Sequence, residues 1–470
     1  MIIEALKLLL IKIFLLFWIL VPQKTLVVGL EGSINTLVPS EIKSDNEKII
    51  SSLIYRKLFE YHNGELSEDL IKNWEISPDK KIYKYELKSD ANWQDGSPIT
   101  TDDVIFSLSQ NKQLINQLDI EKLSDKKFTI TLSAPNAILN SILTFGIQPA
   151  NASEDNKFKQ TGSTSYHVAY ISSENNSVSS VTLQSFQKDK MYPRIIFKFY
   201  KNNENLKTAY KLGEINAFIS PNEFKWENST QIPVTYQGRY FALISNTTSE
   251  KVADLEVRKT LSKSLDIENF RLKSLNQGAI RTIGPISRTK YTKNNLLRNP
   301  FDPTADLSPS QKSTLNEISL LVPNNQESKQ IESFISADWN RNLGIKVNTS
   351  FMDEEDFVDE AKSGKYDVIL VGHETSIDPD RYSFWHSTQI GQLNIGKFSD
   401  PKLDKALEEG RKYIKYEERL PHYAIMQDVF EQKAPAIFLY HPGTYLYTKK
   451  NREINIPSVI FTPADIFAEL

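Results

Sequence analysis

The apolar segments EISLLV (residues 317–322) and YDVILVG (residues 366–372) decide the fold class of this chain. Two helical patterns and one further strand pattern lie between them: SKQIESFISADWNRNLG (328–344), GIKVNTSF (344–351) and EDFVDEAKSG (355–364). The first helical pattern keeps its apolar residues on one stripe and ends at a glycine. A continuous apolar strand such as YDVILVG is expected where both faces of a sheet are covered. The region therefore predicts a βαβαβ unit with a parallel sheet, typical of an α/β protein.

The loop that follows this unit is the first place to expect a ligand, because sites in such sheets lie beyond the C-terminal ends of the strands. It reads GHETSIDPDRYSFWHS (372–387). His373 and Glu374 begin like the zinc-protease motif HExxH, but Ile377 occupies the position of the second ligand. The sequence therefore argues against a metallopeptidase. The loop contains the residues of a hard-metal or acid/base cluster, namely His373, His386, Glu374, Asp378 and Asp380. The alternative is a loop whose carboxylates cap backbone amides and face solvent.

The region before residue 237 predicts antiparallel structure. TLVVGLEG (25–32) predicts a strand, and EKIISSLIYRKLFEY (47–61) a helix with apolar residues at helical spacing. KIYKYELKS (81–89) and FTITL (128–132) alternate apolar and polar side chains, as half-buried strands do. The first region of the chain is therefore expected to contain antiparallel strands, unlike the parallel sheet of the βαβαβ unit.

The stretch NWQDGSPITTDDV (92–104) carries three carboxylates within nine residues. Asp95 and Gly96 predict a turn, because an Asp side chain can accept a hydrogen bond from the neighbouring backbone and Gly tolerates a positive φ. Thr100 and Asp103 are spaced as a capping box in which Asp replaces Glu, and Asp102 falls in the same first helical turn. We expect these carboxylates to shape the backbone rather than to form a metal or acid/base site.

Charge, cysteine content and the N-terminus limit the partners and the location. The chain has 56 basic and 59 acidic residues and a formal charge of −3, so no binding of nucleic acid is expected. The chain has no cysteine, which excludes disulfides and thiolate chemistry. The apolar run IFLLFWILV (13–21) is short for a membrane span, and residues 1–23 are predicted to be either a cleaved signal peptide or an uncleaved anchor.

No GxSxG, P-loop or GxGxxG motif occurs in the sequence, and no pair of carboxylates stands out as a hydrolytic couple. Nothing in the chain demands catalysis or a cofactor. The protein is therefore expected not to be an enzyme.

The segment NGELSEDLIKNWEISPDKKIYKYELKSDANWQDGSPITTDDVIFSLSQ (63–110) strongly resembles the solute-binding proteins of family 5, the receptors for oligopeptides, dipeptides, nickel chelates and some sugars that feed ABC importers. Further segments resemble the family in the same order: TGSTSY (161–166), LKTAYKLGEINAF (206–218), RYFALISNTTSEKVADLEVRKTLSKSLD (239–266), SDPKLDKAL (399–407) and PAIFLYHP (435–442). The first segment keeps nine residues of the family pattern: Trp74, Leu87, Trp93, Asp95, Gly96, Thr100, Asp102, Asp103 and Val104.

The resemblance implies an α/β, two-lobed periplasmic-binding-protein fold, class II-like, with an extra subdomain in the first lobe. Lobe one would comprise residues 24–237 and 442–470, with the subdomain at about 49–162, and lobe two residues 238–441. The lobes would close around a ligand in the cleft between them, a shift of population toward the state that contacts the ligand from both sides.

The resemblance also implies a function. The protein would be a monomer in the periplasm or at the cell surface that delivers peptides or a similar small solute to ABC transporter permease subunits. Peptide-binding members hold the free amine with an aspartate, where this chain has Thr375, so the charge is either moved to Glu374 or lost. A nickel chelate or sugar as ligand stays open. An enzyme, a chaperone or an anchored sensor on the same fold is the alternative from another class.

The expected ligand contacts follow from the positions that the family uses. They comprise the loop after the first strand, the end of the TGSTSY turn, a strand end in lobe two, the loop after Val371 and the return crossing. The residues are Ser33, Ile34, Tyr166, Asn246, Glu374, Thr375, Asp378, Trp385, Tyr440 and His441.

Overall fold

A computed structural model of the chain describes residues 24–111, 118–151, 157–158, 161–282, 284–286, 288–293, 300–450 and 452–470. Residues 1–23, for which a signal or an anchor is predicted, lie outside the described residues. None of the helices within these ranges is both long enough and apolar enough to span a membrane.

The described residues combine strands with helices throughout the chain. The strands are β1 (Thr25–Glu31), β2 (Phe59–His62), β3 (Glu65–Glu68), β4 (Ile71–Ile76), β5 (Ile82–Leu87), β6 (Leu118–Ser124), β7 (Lys127–Leu132), β8 (Tyr166–Glu174), β9 (Ser177–Ser185), β10 (Arg194–Tyr200), β11 (Ala217–Ser220), β12 (Ser229–Thr235), β13 (Arg239–Ser245), β14 (Ile280–Arg281), β15 (Glu317–Pro323), β16 (Lys346–Met352), β17 (Val368–Glu374), β18 (Ala436–His441) and β19 (Gly443–Lys449). The α-helices are α1 (Asp45–Ser52), α2 (Thr101–Gln110), α3 (Leu139–Ile142), α4 (Asn203–Leu212), α5 (Leu255–Lys263), α6 (Ile267–Ser274), α7 (Pro309–Thr314), α8 (Gln326–Leu343), α9 (Glu354–Ser363), α10 (Tyr382–Trp385), α11 (Pro401–Gly410) and α12 (Tyr416–Lys433). Short 3₁₀ helices cover Pro39–Glu41, Ser387–Gln389 and Pro463–Phe467.

Most of the strands belong to two large sheets. The first has the order β12-β19-β11-β1-β10-β9-β8 and the second the order β14-β18-β13-β17-β15-β16. The chain leaves the first sheet at Thr235 and enters the second at Arg239, then returns between His441 and Gly443. Two short segments of backbone therefore connect the sheets.

The βαβαβ unit predicted from the sequence is confirmed. Strand β15 pairs in parallel with both β16 and β17, and α8 and α9 form the two connections. Helix α8 ends at Gly344, whose φ of 71° is the left-handed conformation that favours glycine. Side chains of β15 and β17 alternate between two buried clusters, Leu320 and Leu370 on one face and Leu321 and Ile369 on the other. Both faces of this sheet are covered, as the apolar run predicts.

A smaller antiparallel region belongs to the first part of the chain. Strands β4, β5, β7 and β6 form a four-stranded sheet, and β2 pairs with β3 as a hairpin. Tyr83, Tyr85 and Leu87 point to the buried face of β5, which confirms the alternation seen in the sequence. These side chains and those of β1 belong to one buried cluster, so this region shares a core with the first sheet.

The helix predicted over residues 47–61 is wrong beyond its first half. Helix α1 ends at Ser52, and residues 59–62 form strand β2. The backbone beyond Leu53 bonds to distant segments instead, because Ile54 O accepts from Ser163 N and Phe59 N donates to Leu143 O. Tertiary hydrogen bonds thus override the helical spacing of the apolar residues.

The carboxylates of the NWQDGSPITTDDV stretch shape the backbone, as expected. Asp95 Oδ1 accepts from Ser97 N at 2.9 Å, in a turn where Gly96 has a φ of 88°. Asp103 Oδ2 accepts from Thr100 N at 2.7 Å, which completes the capping box of α2. The turn and the helix start predicted for this stretch are confirmed.

Candidate functional site

A cavity of about 760 Å³ lies between the two large sheets, next to both connecting segments. Its volume falls within the range typical of ligand sites, about 300–1,000 Å³. The first sheet and α1 contribute Leu30, Glu31, Asp45, Asn46, Ile49 and Ile219. The second sheet and α8 contribute Arg239, Tyr240, Phe241, Glu327, His373, Glu374 and Tyr440. A solute in this cavity would contact both halves of the molecule.

Two ion pairs cross the cavity and link α1 to the second sheet. Lys48 Nζ lies 2.8 Å from Glu374 Oε1. Arg239 Nη1 donates to Asp45 Oδ2 at 2.7 Å, and its Nη2 donates to Glu374 Oε2 at 3.1 Å. Burial lowers the pKa of Arg239, but its contacts with Asp45 and Glu374 outweigh that effect and raise the pKa overall. The four side chains form one charge-neutral network.

Two further carboxylates line the same cavity and have neutral donors. Glu327, in the first turn of α8, accepts a hydrogen bond from the Tyr440 hydroxyl at 3.1 Å. Glu31, the last residue of β1, accepts a long contact of 3.4 Å from Asn203 Nδ2. Desolvation raises the pKa of Glu327, and the Tyr440 hydroxyl and the charge of Arg239 counteract this only in part.

The histidines near the site are fixed by local partners. His373 Nδ1 lies 3.2 Å from the Tyr240 hydroxyl, and His441 Nδ1 donates to Arg239 O at 2.7 Å. Burial lowers the pKa of each to about 4, so both are neutral at pH 7. His386 contacts Thr388 and Glu408 instead. Within the described ranges no group of three or more side chains is arranged to hold a metal ion.

A second cavity, of about 400 Å³, lies between the small antiparallel region and the loop after β17. Aromatic side chains form much of its wall, among them Tyr61, Trp74 and Tyr291. Asp378 and Arg419 form a bidentate ion pair at 2.7 and 2.8 Å, and their side chains are 7% and 6% exposed. Burial lowers the pKa of Arg419, but the charge of Asp378 and its hydrogen bonds raise it overall. The pair thus closes one side of this cavity as a neutral unit.

The structure brings together only some of the residues expected from the sequence. Glu374 and Tyr440 line the first cavity, and Asp378 lines the second. Thr375 is buried, and its amide donates to Gly238 O at 2.7 Å. His441 lies between two lining residues, Tyr440 and Pro442, with its ring buried.

The remaining expected residues line neither cavity. Ser33 is exposed and Ile34 is buried, in the loop after β1. The Tyr166 hydroxyl donates to Tyr192 O, and Asn246 donates to the backbone of Gly364 and Tyr366. Trp385 packs edge-on against Phe430 in the core of the second sheet. Ile34, Tyr166, Asn246 and Trp385 are buried, Ser33 is exposed, and the contact of all five with a ligand stays a prediction.

Sequence reasoning missed five charged residues of the site: Glu31, Asp45, Lys48, Arg239 and Glu327. Asp45 and Lys48 lie one turn apart on α1, so their helical spacing places them on one face. Arg239 is the first residue after the crossing into the second sheet. A search for charges close to the two crossings would have found Arg239, whereas the position of Glu327 depends on the packing of α8.

Comparison with solved structures identifies the fold. The chain is similar to solved structures of Campylobacter jejuni NikZ in complex with Ni(L-His), with a TM-score of 0.71, 21% identity and coverage of 95% of this chain and 98% of that one. It is also similar to the Bacillus subtilis oligopeptide-binding protein AppA in complex with a nonapeptide, with a TM-score of 0.70, 18% identity and coverage of 95% and 98%. The fold is the two-lobed fold of periplasmic binding proteins, as the sequence resemblance implied.

The family follows from the sequence comparisons. The family described as bacterial extracellular solute-binding proteins, family 5 (middle), matches residues 65–392, well over half of the chain. The periplasmic murein peptide-binding protein MppA of Escherichia coli is 21% identical, over 82% of this chain and 82% of that protein. The chain belongs to family 5 of the bacterial extracellular solute-binding proteins, and the resemblance seen in the sequence is confirmed.

Proposed function

We propose that this protein captures a peptide or a chemically similar small solute in the cavity between its two lobes and delivers it to the permease of an ABC importer. The observation that carries the proposal is the cavity of about 760 Å³, which is lined from both large sheets. Related proteins include a murein peptide-binding protein and an oligopeptide-binding protein in complex with a nonapeptide, which supports peptides as the ligand class.

Lobe one comprises residues 24–237 and 442–470, with the extra subdomain at about 49–162, and lobe two comprises residues 238–441. The crossings at Thr235–Arg239 and His441–Gly443 support this division. All strands of the second sheet lie between the two crossings in the sequence, and all strands of the first sheet lie before the first crossing or after the second. Rotation about the two crossings opens and closes the cleft. A ligand that contacts both lobes favours the closed state, because only that state offers it both sets of contacts.

Glu374 and Tyr440 contact the ligand in the first cavity, together with Arg239 and Glu327. Asp378 orders the wall of the second cavity through its ion pair with Arg419. The protein acts as a monomer in the periplasm or at the cell surface and binds without catalysis. Binding rather than catalysis is supported by the family, which consists of solute-binding proteins.

Native mass spectrometry of freshly purified protein, followed by thermal-shift titration with di- to pentapeptides, tests the proposal. We expect a co-purifying solute and a rise in melting temperature with peptides, since a ligand that binds only the folded state stabilises it. The Glu374→Ala variant should respond less to the same peptides. The peptide proposal fails if no peptide raises the melting temperature and Glu374→Ala behaves as the wild type.

A further inference from the structure

The charges that line the first cavity do not balance. Four carboxylates line it, those of Glu31, Asp45, Glu327 and Glu374, and Arg239 is the cationic residue among the lining side chains. Lys48 reaches Glu374 from the edge of the cavity. His373 is neutral at pH 7, because burial lowers its pKa to about 4. The interior therefore carries more negative than positive charge even when Lys48 is included.

The surplus belongs to Glu31 and Glu327. Asp45 and Glu374 are matched by Arg239 and Lys48 in the neutral network. Glu31 and Glu327 have only the amide of Asn203 and the hydroxyl of Tyr440 as side-chain donors, and among the described residues neither has a basic side chain within ion-pair distance. One comes from the end of β1 in lobe one and the other from the start of α8 in lobe two.

The helix start does not account for Glu327. An acidic residue in a first helical turn is stabilised by the helix dipole, which lowers its pKa. The pKa of Glu327 is raised instead, by desolvation. The capping hydrogen bond of α8 is made by Asn325, whose side chain accepts from Ser328 N. Glu327 is thus an acceptor in the cavity wall that does not cap the helix.

We infer that the cavity selects a positively charged organic solute, which bridges Glu31 of lobe one and Glu327 of lobe two; this rests on the proposed function and names its ligand class. Closing the cleft brings two like charges to opposite walls of the same cavity, and like charges repel. A cation between them removes this cost only in the closed, liganded state. A volume of about 760 Å³ suits an ammonium or guanidinium group on a peptide-sized solute.

The test compares three tripeptides with the same backbone: Ala-Lys-Ala, Ala-Met-Ala and Ala-Glu-Ala. Their affinities are measured by isothermal titration calorimetry for the wild type, Glu31→Gln, Glu327→Gln and the matched control Glu121→Gln, an exposed residue of β6. We expect the lysine peptide to bind about tenfold more tightly than the methionine peptide, because a hydrogen bond to a charged group contributes that much. The preference should fall in each cavity variant, remain in Glu121→Gln and weaken at 1 M salt.

The outcomes separate this inference from the proposed function. Equal affinity for the three peptides, or a lysine preference that persists in both cavity variants, overturns the charge selection and leaves peptide binding standing. Binding of none of them counts against peptide capture itself and therefore against this inference as well. Circular dichroism and thermal unfolding of each variant confirm that the fold is retained, which neutral replacements at exposed or cavity-lining positions should permit.

Discussion

Lys48 Nζ lies 2.8 Å from Glu374 Oε1, and this contact joins helix α1 of the first half of the molecule to the last residue of β17 in the second. Arg239 makes a parallel connection to Asp45, three residues before Lys48. Both contacts cross the cavity at one edge, so they favour a closed cleft before any solute binds. The network also fixes the carboxylate of Glu374, for which a ligand ammonium would have to compete.

Lys48→Met should shift the protein toward an open cleft. The side chains of Lys48 and Glu374 are 31% and 45% exposed, and such pairs contribute about 0.2–1 kcal/mol. The closed population of the ligand-free protein should fall accordingly, and small-angle X-ray scattering should report a larger radius of gyration. Lys207→Met is the matched control, because it removes an ion pair within α4 that does not cross the cleft. Equal scattering from both variants and the wild type at low salt would refute the connecting role.

Arg419→Met should destabilise the folded protein far more than Lys48→Met does. The Asp378–Arg419 pair is buried, and removing one partner leaves an uncompensated buried charge, which costs about 3–5 kcal/mol. The double variant Arg419→Met/Asp378→Asn should recover part of the loss, since neither charge then remains. Urea unfolding of the two variants measures the difference. If the double variant is no more stable than the single one, packing and not charge dominates at this site.

The sequence predicts the architecture better than the site, and particular residues show why. The apolar runs around Leu320 and Leu370 predict the parallel strands, because burial of both faces leaves a pattern in consecutive residues. The capping box of Thr100 and Asp103 is equally local. The pairing of Lys48 with Glu374 spans 326 positions, and no local pattern carries it.

The aromatic residues among the expected ligand contacts also show why the sequence predicts the site less well than the architecture. Trp385 is expected in the cavity because it lies in the loop after β17, but it is 1% exposed and its ring packs against Phe430. Tyr166 has its hydroxyl bonded to the backbone of Tyr192 and Leu470. Sequence position places a residue near the end of a strand, whereas the side on which its ring lies depends on the packing of neighbouring elements.

Asp103→Ala and Asp102→Asn should differ in their effect on stability, although the two residues are adjacent. Asp103 is buried and accepts from Thr100 N at 2.7 Å, from Ala150 N at 2.8 Å and from Trp93 Nε1 at 3.3 Å. Its loss leaves buried donors unsatisfied and should cost about 1–3 kcal/mol. Asp102 is 58% exposed and pairs with Lys122, so its replacement should cost less than about 1 kcal/mol.

Neither of these variants should change ligand affinity, because Asp102 and Asp103 line neither cavity. Thermal unfolding measures the loss of stability in each variant. Calorimetric titration with the best-binding peptide measures the ligand affinity. A large loss of affinity in a variant that remains folded would show that this stretch takes part in binding.

His441 should make the folded protein less stable as the pH falls from 6.5 toward 4. Burial lowers the pKa of His441 from 6.5 to about 4, so between these values the unfolded chain binds a proton that the folded chain does not. The contribution of His441 to the free energy of unfolding is fully present above pH 6.5 and decreases as the pH falls. The free energy of unfolding should drop by about 2 kcal/mol from pH 7.5 to pH 5 on account of this residue alone.

His441→Asn isolates this contribution. The asparagine amide can still donate to Arg239 O, where His441 Nδ1 donates at 2.7 Å, but it does not titrate. Carboxylates and the other histidines titrate in both proteins, so their effects cancel in the comparison. Urea unfolding at pH 7.5 and pH 5 should therefore show a smaller loss of stability in the variant than in the wild type, by about 2 kcal/mol. If both proteins lose the same amount, His441 is already protonated in the folded state at pH 5, and the hydrogen bond to Arg239 O stabilises the imidazolium more strongly than burial destabilises it.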